Sequence, residues 1–329
     1  MQRTTLLAGA LGASVLLLGL QVTWNSGLLT EPLAVSSYLS SGVFFYAPAT
    51  GTAFEKETEG FVYIGVTGNY IDDRVYSYGL YERPELYALR DILTTLHDDR
   101  GVFLDIGANV GQHSLFMAQH AGTVHAVEPF PLVLKRFDEM LTRNGFDNVV
   151  VHRVGFSNEP GSLPFFAPPD DNLGTGSFDG SFRDYNTRAT ELPLVVGDDW
   201  LEAKSIDQID LIKVDIEGFE RYALEGLQRT LTASRPVIAM ELNPSEGGFS
   251  SQAQLDATLP PDYGCFEVEQ PTQRSLYWLS FTVVRYMYGP NVTGEYVIRP
   301  FNQDFETQRN ILCMPDTTAG TLRDAGLFD

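Results

Sequence analysis

Lysine and cysteine are both scarce in this sequence. Four lysines, at 56, 135, 204 and 213, and two cysteines stand among 329 residues. Two cysteines so far apart exclude a zinc ribbon and a disulfide-built scaffold. Cys265 and Cys313 are read as two buried thiols, with pairing in an oxidising compartment as the alternative. Positive charge is short too: 22 basic residues face 43 acidic ones, for a formal charge of −21. Such a chain repels polyanions, which argues against a nucleic-acid or anionic-membrane surface as partner. No D-x-D-like metal motif stands beside a phosphate-binding loop, as a nucleotide-sugar transferase would need. Disorder is excluded by the 43% apolar content, enough for a sizeable core.

The organising stretch is 102–129, V-F-L-D-I-G-A-N-V-G-Q-H-S-L-F-M-A-Q-H-A-G-T-V-H-A-V-E-P. A short apolar run, Val102 to Ile106, reads as a buried parallel strand ended by Gly107, with Asp105 near its end. Gly107 and Gly111 let the chain turn sharply and a ligand approach, and Ser114 to Ala121 continues as a helix whose amide end faces that ligand. A second apolar run, Thr123 to Val127, stops at Glu128, where such folds hold the two ribose hydroxyls of a nucleoside. Asn109 replaces the second glycine of the dinucleotide fingerprint, and Asp105 would repel a pyrophosphate while attracting an ammonium and a sulfonium. The ligand expected is S-adenosylmethionine, held by Asp105, Gly107, Asn109, Gly111 and Glu128.

In chain order, residues 6–20 are uncharged and follow Arg3, the layout of a secretory signal or, without an evident cleavage site, a membrane anchor. The expected division is an anchor or signal over 1–24, a linker and β-rich lead-in over 25–80, a catalytic core over 81–244, and late antiparallel strands with covering loops over 245–329. The protein is thus expected at a membrane or in the secretory pathway. The sequon at Asn291 matters only in a secretory lumen. Pro84 and Glu85 open a helix with Leu86, Leu89, Ile92, Leu93 and Leu96 on one face. Further strands are read at 149–154, 209–214 and 237–241, alternating with helices, and a proline- and glycine-punctuated excursion of about fifty residues separates the third strand from the fourth. This is an α/β, doubly wound, mostly parallel sheet of Rossmann-like type, whose ligands sit beyond the carboxyl ends of the strands.

Asp105, Glu128, Asp215, Glu217 and Glu241 all fall on that edge. Glu82 could reach it from upstream, although an exposed first-turn carboxylate is the reading taken. His113 and His125 are read as core histidines. The motifs L-D-I-G-A-N-V-G-Q-H-S (104–114), V-E-P (127–129), V-G-F-S-N (154–158), N-L-G-T-G-S (172–177) and I-D-L-I-K-V-D-I-E-G-F-E (209–220) resemble the FkbM family of S-adenosylmethionine-dependent methyltransferases. The resemblance runs over 81–243 and implies methyl transfer, usually to a hydroxyl oxygen of a sugar or polyketide-like small molecule. It places Asp215 and Glu217 beside the methyl group. Two carboxylates sharing a partly dry cleft do not both ionise easily, so Asp215 is expected as the base and Glu217 as the acceptor's hydrogen-bond partner. A magnesium ion on Asp215, Glu241 and Asn243 is a lesser alternative. The competing classes are a membrane-anchored nucleotide-sugar transferase and a catalytically silent cofactor-binding protein of the same fold.

Overall fold

The computed structural model describes residues 34–35, 46–47, 49–168, 173–180, 186–269 and 296–328. The apolar segment 6–20, the sequon at Asn291 and the aromatic run 277–288 lie outside them. The chain divides into two compact units, 1–52 and 53–329. In the first, Ala34–Val35 pairs antiparallel with Tyr46–Ala47. Among the described residues no helix is long and apolar enough to cross a membrane.

The second unit begins, inside the stretch expected to be linker and lead-in, with a hairpin of β1 (Ala53–Thr58) and β2 (Phe61–Val66) and a helix α1 (Tyr70–Tyr78). Alternation in β2 buries Phe61 and Tyr63, and the side chain of Asn69 caps α1 by accepting from the Ile71 and Asp72 amides. Asp72 is fully buried. It accepts from Tyr63 Oη at 2.6 Å and from both terminal nitrogens of Arg136 at 2.6 and 3.1 Å, so the hairpin is keyed to the core by a satisfied buried ion pair.

Then follow α2 (Arg83–His97), β3 (Val102–Ile106), α3 (Gln112–Met117), β4 (Thr123–Val127), α4 (Pro131–Asn144) and β5 (Val149–His152). The excursion holds β6 (Gly155–Ser157), β7 (Gly161–Ala167) and β8 (Thr187–Val196), a small sheet of its own in the order β6-β8-β7. The core resumes with α5 (Gly197–Ala203), β9 (Leu211–Val214), α6 (Glu220–Glu225), α7 (Gln228–Ala233) and β10 (Val237–Leu242). It ends with α8 (Gln252–Thr258), β11 (Tyr263–Glu269), β12 (Val297–Pro300), β13 (Arg309–Pro315) and α9 (Asp316–Asp324).

The main sheet has the order β12-β11-β13-β10-β9-β3-β4-β5. Its strands from β10 to β5 are parallel, and the late strands β13, β11 and β12 extend it antiparallel. In register, Leu104, Ile212 and Ile238 line up on one face while Phe103, Leu211 and Val237 line up on the other. Each face carries its own apolar cluster, the reason these strands are apolar runs rather than alternating ones. The direction of winding reverses between β3 and β9, and that switch point opens the crevice in which the acidic residues gather.

The cysteines correct the sequence reading. Cys265 on β11 and Cys313 on β13 are directly opposite in the antiparallel pair and form a disulfide, not two free thiols. A separation of 48 residues hides a contact that strand register makes unavoidable.

Candidate active site

The loop after β3 is built from backbone geometry. Gly107 has φ +85°, and a Cβ there would stand 1.9 Å from the carbonyl oxygen of Asp215, so only glycine allows the β3 and β9 loops to touch. Gly107 and Ala108 donate their amides to the Val127 carbonyl at 2.9 and 3.1 Å, and Gly111 donates to Ala108 at 2.8 Å. Asn109, also left-handed at φ +53°, donates its amide to Glu128 Oε2 at 2.9 Å. With these amides committed inside the protein, the loop is preorganised but offers no cradle for a diphosphate. Gly111 plays a packing part: its Cβ would strike the Phe137 ring at 2.2 Å, and it lines neither cavity described below.

Glu128, 7% exposed, accepts from Asn109 N and, through Oε1, from Phe130 N at 2.8 Å. Burial pushes its carboxyl up to about 7 against the pull of those two donors. It overlooks a narrow slot walled by Ile106, Val127, Phe130, Val133, Phe156 and Phe165. Glu128 thus offers remaining lone pairs to hydroxyls beside an apolar slot for a flat ring, the fit a nucleoside requires.

A second, polar cavity of about 290 Å³ adjoins the slot and shares Gly107, Asn109, Gly174, Asp215 and Glu217 with it. Its wall includes Glu82, His113, Lys213, Glu241 and Gln308. Lys213, only 3% exposed, donates to Asp215 Oδ2 at 2.9 Å; the two lie two apart at the end of β9, hence on one side of the strand. Burial pushes the Lys213 ammonium down, but Asp215, Asp105, Glu85 and Glu82 together override it and hold it above the ordinary lysine value. Glu241 is pushed up to about 7 by burial and then by Asp215, although Asn243 Nδ2 at 2.7 Å and Gln308 Nε2 at 2.5 Å both donate to it.

Glu217 adopts φ +53° just before Gly218 and lines both cavities, while its carbonyl accepts from Ser177 Oγ at 2.7 Å and so ties the excursion to the site. The turn-capping task that its position suggests is performed by Glu220. That fully buried carboxylate accepts from the Gly218 amide at 3.0 Å and the Ile216 amide at 3.3 Å, and burial pushes it up to about 8.

Asp105 departs from expectation. It is fully buried, accepts from Ser114 Oγ at 2.6 Å and lines neither cavity, because its carboxylate turns to Ser114 of α3 and not toward a ligand. Burial raises its pKa, with Lys213 opposing. The helix after the loop is six residues long, Gln112–Met117, and begins two residues earlier than its periodicity suggests.

His125 is the core histidine expected, its Nδ1 3.2 Å from His152 Nε2, with Trp200 Nε1 donating to His152 Nδ1 at 3.2 Å. His113 and Glu82, by contrast, both face the polar cavity. Among the described residues, Asp215, Glu217 and Glu241 each bring one carboxylate oxygen within 4.8 Å of the others. Asn243, expected in a metal set, is 1% exposed, donates to Glu241 and Glu220, and is absent from the cavity wall. The sequence signal for Lys213 was its two-residue offset from Asp215. Gln308, sixty-seven residues beyond Glu241, had none.

Known proteins resemble this chain over the same region. Residues 105–265 match the family model described as Methyltransferase FkbM domain. Hexuronic acid methyltransferase AglP of Haloferax volcanii is 29% identical over 158 residues, 47% of this chain and 62% of that protein. The 2-O-methyltransferase NoeI of Sinorhizobium fredii is 26% identical over 160 residues, 44% of this chain and 65% of that protein. The chain therefore spans less than two thirds of the length of either. Among solved structures, methyltransferase FkbM from Methylobacillus flagellatus aligns at TM-score 0.38 and 18% identity, covering 59% of this chain and 53% of that one. Residues 105–265, which hold the glycine loop, Glu128 and the acidic strand ends, are thus similar to the FkbM methyltransferase domain over just under half of the chain.

Proposed function

We propose that this protein transfers the methyl group of S-adenosylmethionine to a hydroxyl oxygen of a carbohydrate. The observation that carries the reading is the meeting of the Glu128 slot with the polar cavity at Gly107, Asp215 and Glu217. The slot suits adenosine, and the cavity leaves room for the rest of the cofactor and an acceptor. When bound, the cofactor supplies an electrophilic methyl group on a sulfonium.

The chain's own work is to hold the acceptor oxygen in line with that group and to take its proton as the new bond forms. Asp215, engaged by Lys213, and Glu217 act here as acceptor-positioning carboxylates. Glu241, held at about 7, has the proton affinity that a base needs near neutral pH, so the proton is assigned to it in place of Asp215. Support for a sugar acceptor comes from the relatives named for hexuronic acid methylation and 2-O-methylation. The committed amides of the glycine loop weigh against a nucleotide-sugar transferase. The apolar segment 6–20 and the Cys265–Cys313 disulfide together support a protein held at a membrane of an oxidising compartment.

The test is calorimetry with S-adenosylhomocysteine, followed by mass spectrometry of methyl hexosides after incubation with labelled cofactor. Glu128→Ala should weaken binding by about 1.5–3 kcal/mol, the loss expected for hydrogen bonds to a charged group. Parent-like affinity in a folded Glu128→Ala protein would refute the nucleoside assignment, and label on nitrogen or carbon of an accepted substrate would refute O-methylation.

A further inference from the structure

The polar cavity gathers four carboxyl side chains, Glu82, Asp215, Glu217 and Glu241. On the function proposed above, it receives both an α-ammonium and an α-carboxylate from the amino-acid end of S-adenosylmethionine. Asp105, expected to meet the ammonium, does not reach the cavity. The carboxylate has a harder problem, since it enters a wall that already carries the carboxyl groups of Glu82, Asp215, Glu217 and Glu241. It needs a donor that nothing else claims.

Three of the donors on the wall are already engaged. Lys213 is engaged by Asp215 and compensates four carboxylates. Gln112 exchanges both of its amide groups with the Tyr81 backbone at 2.9 Å each. Gln308 donates to Glu241. His113 differs: the residue is 8% exposed, it lines the cavity, and its buried Nε2 has no hydrogen-bond partner. A buried polar atom in that state is an unmet demand that a ligand can meet. Glu82 Oε2 stands 3.7 Å from the same nitrogen, beyond hydrogen-bond range but close enough for one small zwitterion to touch both groups.

We propose that His113 and Glu82 form the subsite for the amino-acid end of the cofactor, with Nε2–H of His113 donating to its α-carboxylate and the Glu82 carboxylate accepting from its α-ammonium. Burial, and then Lys213, keep the imidazole well below its usual titration range, so it is neutral and one ring nitrogen carries a proton to donate. Glu82 reaches the cavity from the residue before α2 with φ +53°, a conformation that turns its side chain inward where a first-turn carboxylate would ordinarily face water. The loop that sequence comparison would treat as the whole cofactor site is thereby completed by one residue from the lead-in and one from the start of α3.

The inference rests on the cofactor reading, and two probes separate them. S-adenosylhomocysteine carries the amino-acid end; 5′-methylthioadenosine lacks it. By calorimetry, His113→Leu and Glu82→Gln should each weaken S-adenosylhomocysteine by about ten- to a hundredfold while leaving 5′-methylthioadenosine unchanged. His113→Gln, which keeps an N–H donor, should recover most of the loss. Retained 5′-methylthioadenosine binding is also the control for folding. If His113→Leu does not fold, Glu82→Gln decides alone. A parent protein that binds neither probe overturns the cofactor reading and this one with it. A parent that binds both, with variants that lose both equally or keep the parent's ratio, overturns the subsite and leaves the cofactor reading standing.

Discussion

Replacing Lys213 by methionine would remove the one ammonium inside a nest of carboxylates. Lys213 is 3% exposed, donates to Asp215 Oδ2 at 2.9 Å, and compensates Asp105, Glu85 and Glu82 as well. Breaking a buried pair by deleting one partner costs about 3–5 kcal/mol, because the other charge is left uncompensated. The pH dependence of that cost follows from the carboxylates. Glu85 is pushed by burial from its ordinary 4.5 up to about 7 even with Lys213 present. Below 4.5 it is protonated whether or not the chain is folded, so its burial costs nothing extra; above about 7 the fold must carry the charged form. The penalty is then full, at most about 3 kcal/mol for that shift. Without the ammonium this penalty grows and its window extends upward. Urea denaturation should therefore show Lys213→Met losing about 3–5 kcal/mol near pH 8 and less than half as much near pH 5, where protons replace the lysine. An equal loss at both pH values, or a loss below about 1 kcal/mol near pH 8, would refute the assignment of Lys213 as the charge that holds this site together.

Two further outcomes follow from the geometry. Gly107→Ala combines a left-handed φ of +85° with a Cβ 1.9 Å from the Asp215 carbonyl oxygen. It should cost about 1–3 kcal/mol in strain, push the two loops apart and abolish S-adenosylhomocysteine binding in calorimetry, whereas parent-like binding would show that the loops need not touch. Protein exported to an oxidising compartment should take up no alkylating agent at Cys265 or Cys313 until reduced, as read by intact mass, and reduction should lower stability by about 4 kcal/mol for a 48-residue loop. Two labelled thiols before reduction would refute the Cys265–Cys313 bond.

The order of strands and helices, the parallel sheet and the two glycine-loop landmarks were legible in the sequence, because each depends on local pattern. Apolar runs of four to six residues ended by glycine or an acid read as buried strands whatever their neighbours, and Glu128 follows its loop at a distance set by one helix and one strand. The same local reasoning placed Asp215, Glu217 and Glu241 on one edge, since in a parallel sheet every strand's carboxyl end lies on that edge. Tertiary structure decided which side each chain end faces and what arrives from far away. Ser114 of α3 holds Asp105 away from the cavity, register brings Cys265 against Cys313, and Asp72 finds Arg136 sixty-four residues on. The capping of the acidic turn falls to Glu220 and not Glu217, and Glu241 receives Gln308, the residue just before β13, the antiparallel strand paired with its own. His113 looked like a satisfied core histidine because spacing reports which face of a helix is buried. It does not report whether a buried nitrogen has found a partner, which only the packed neighbours determine.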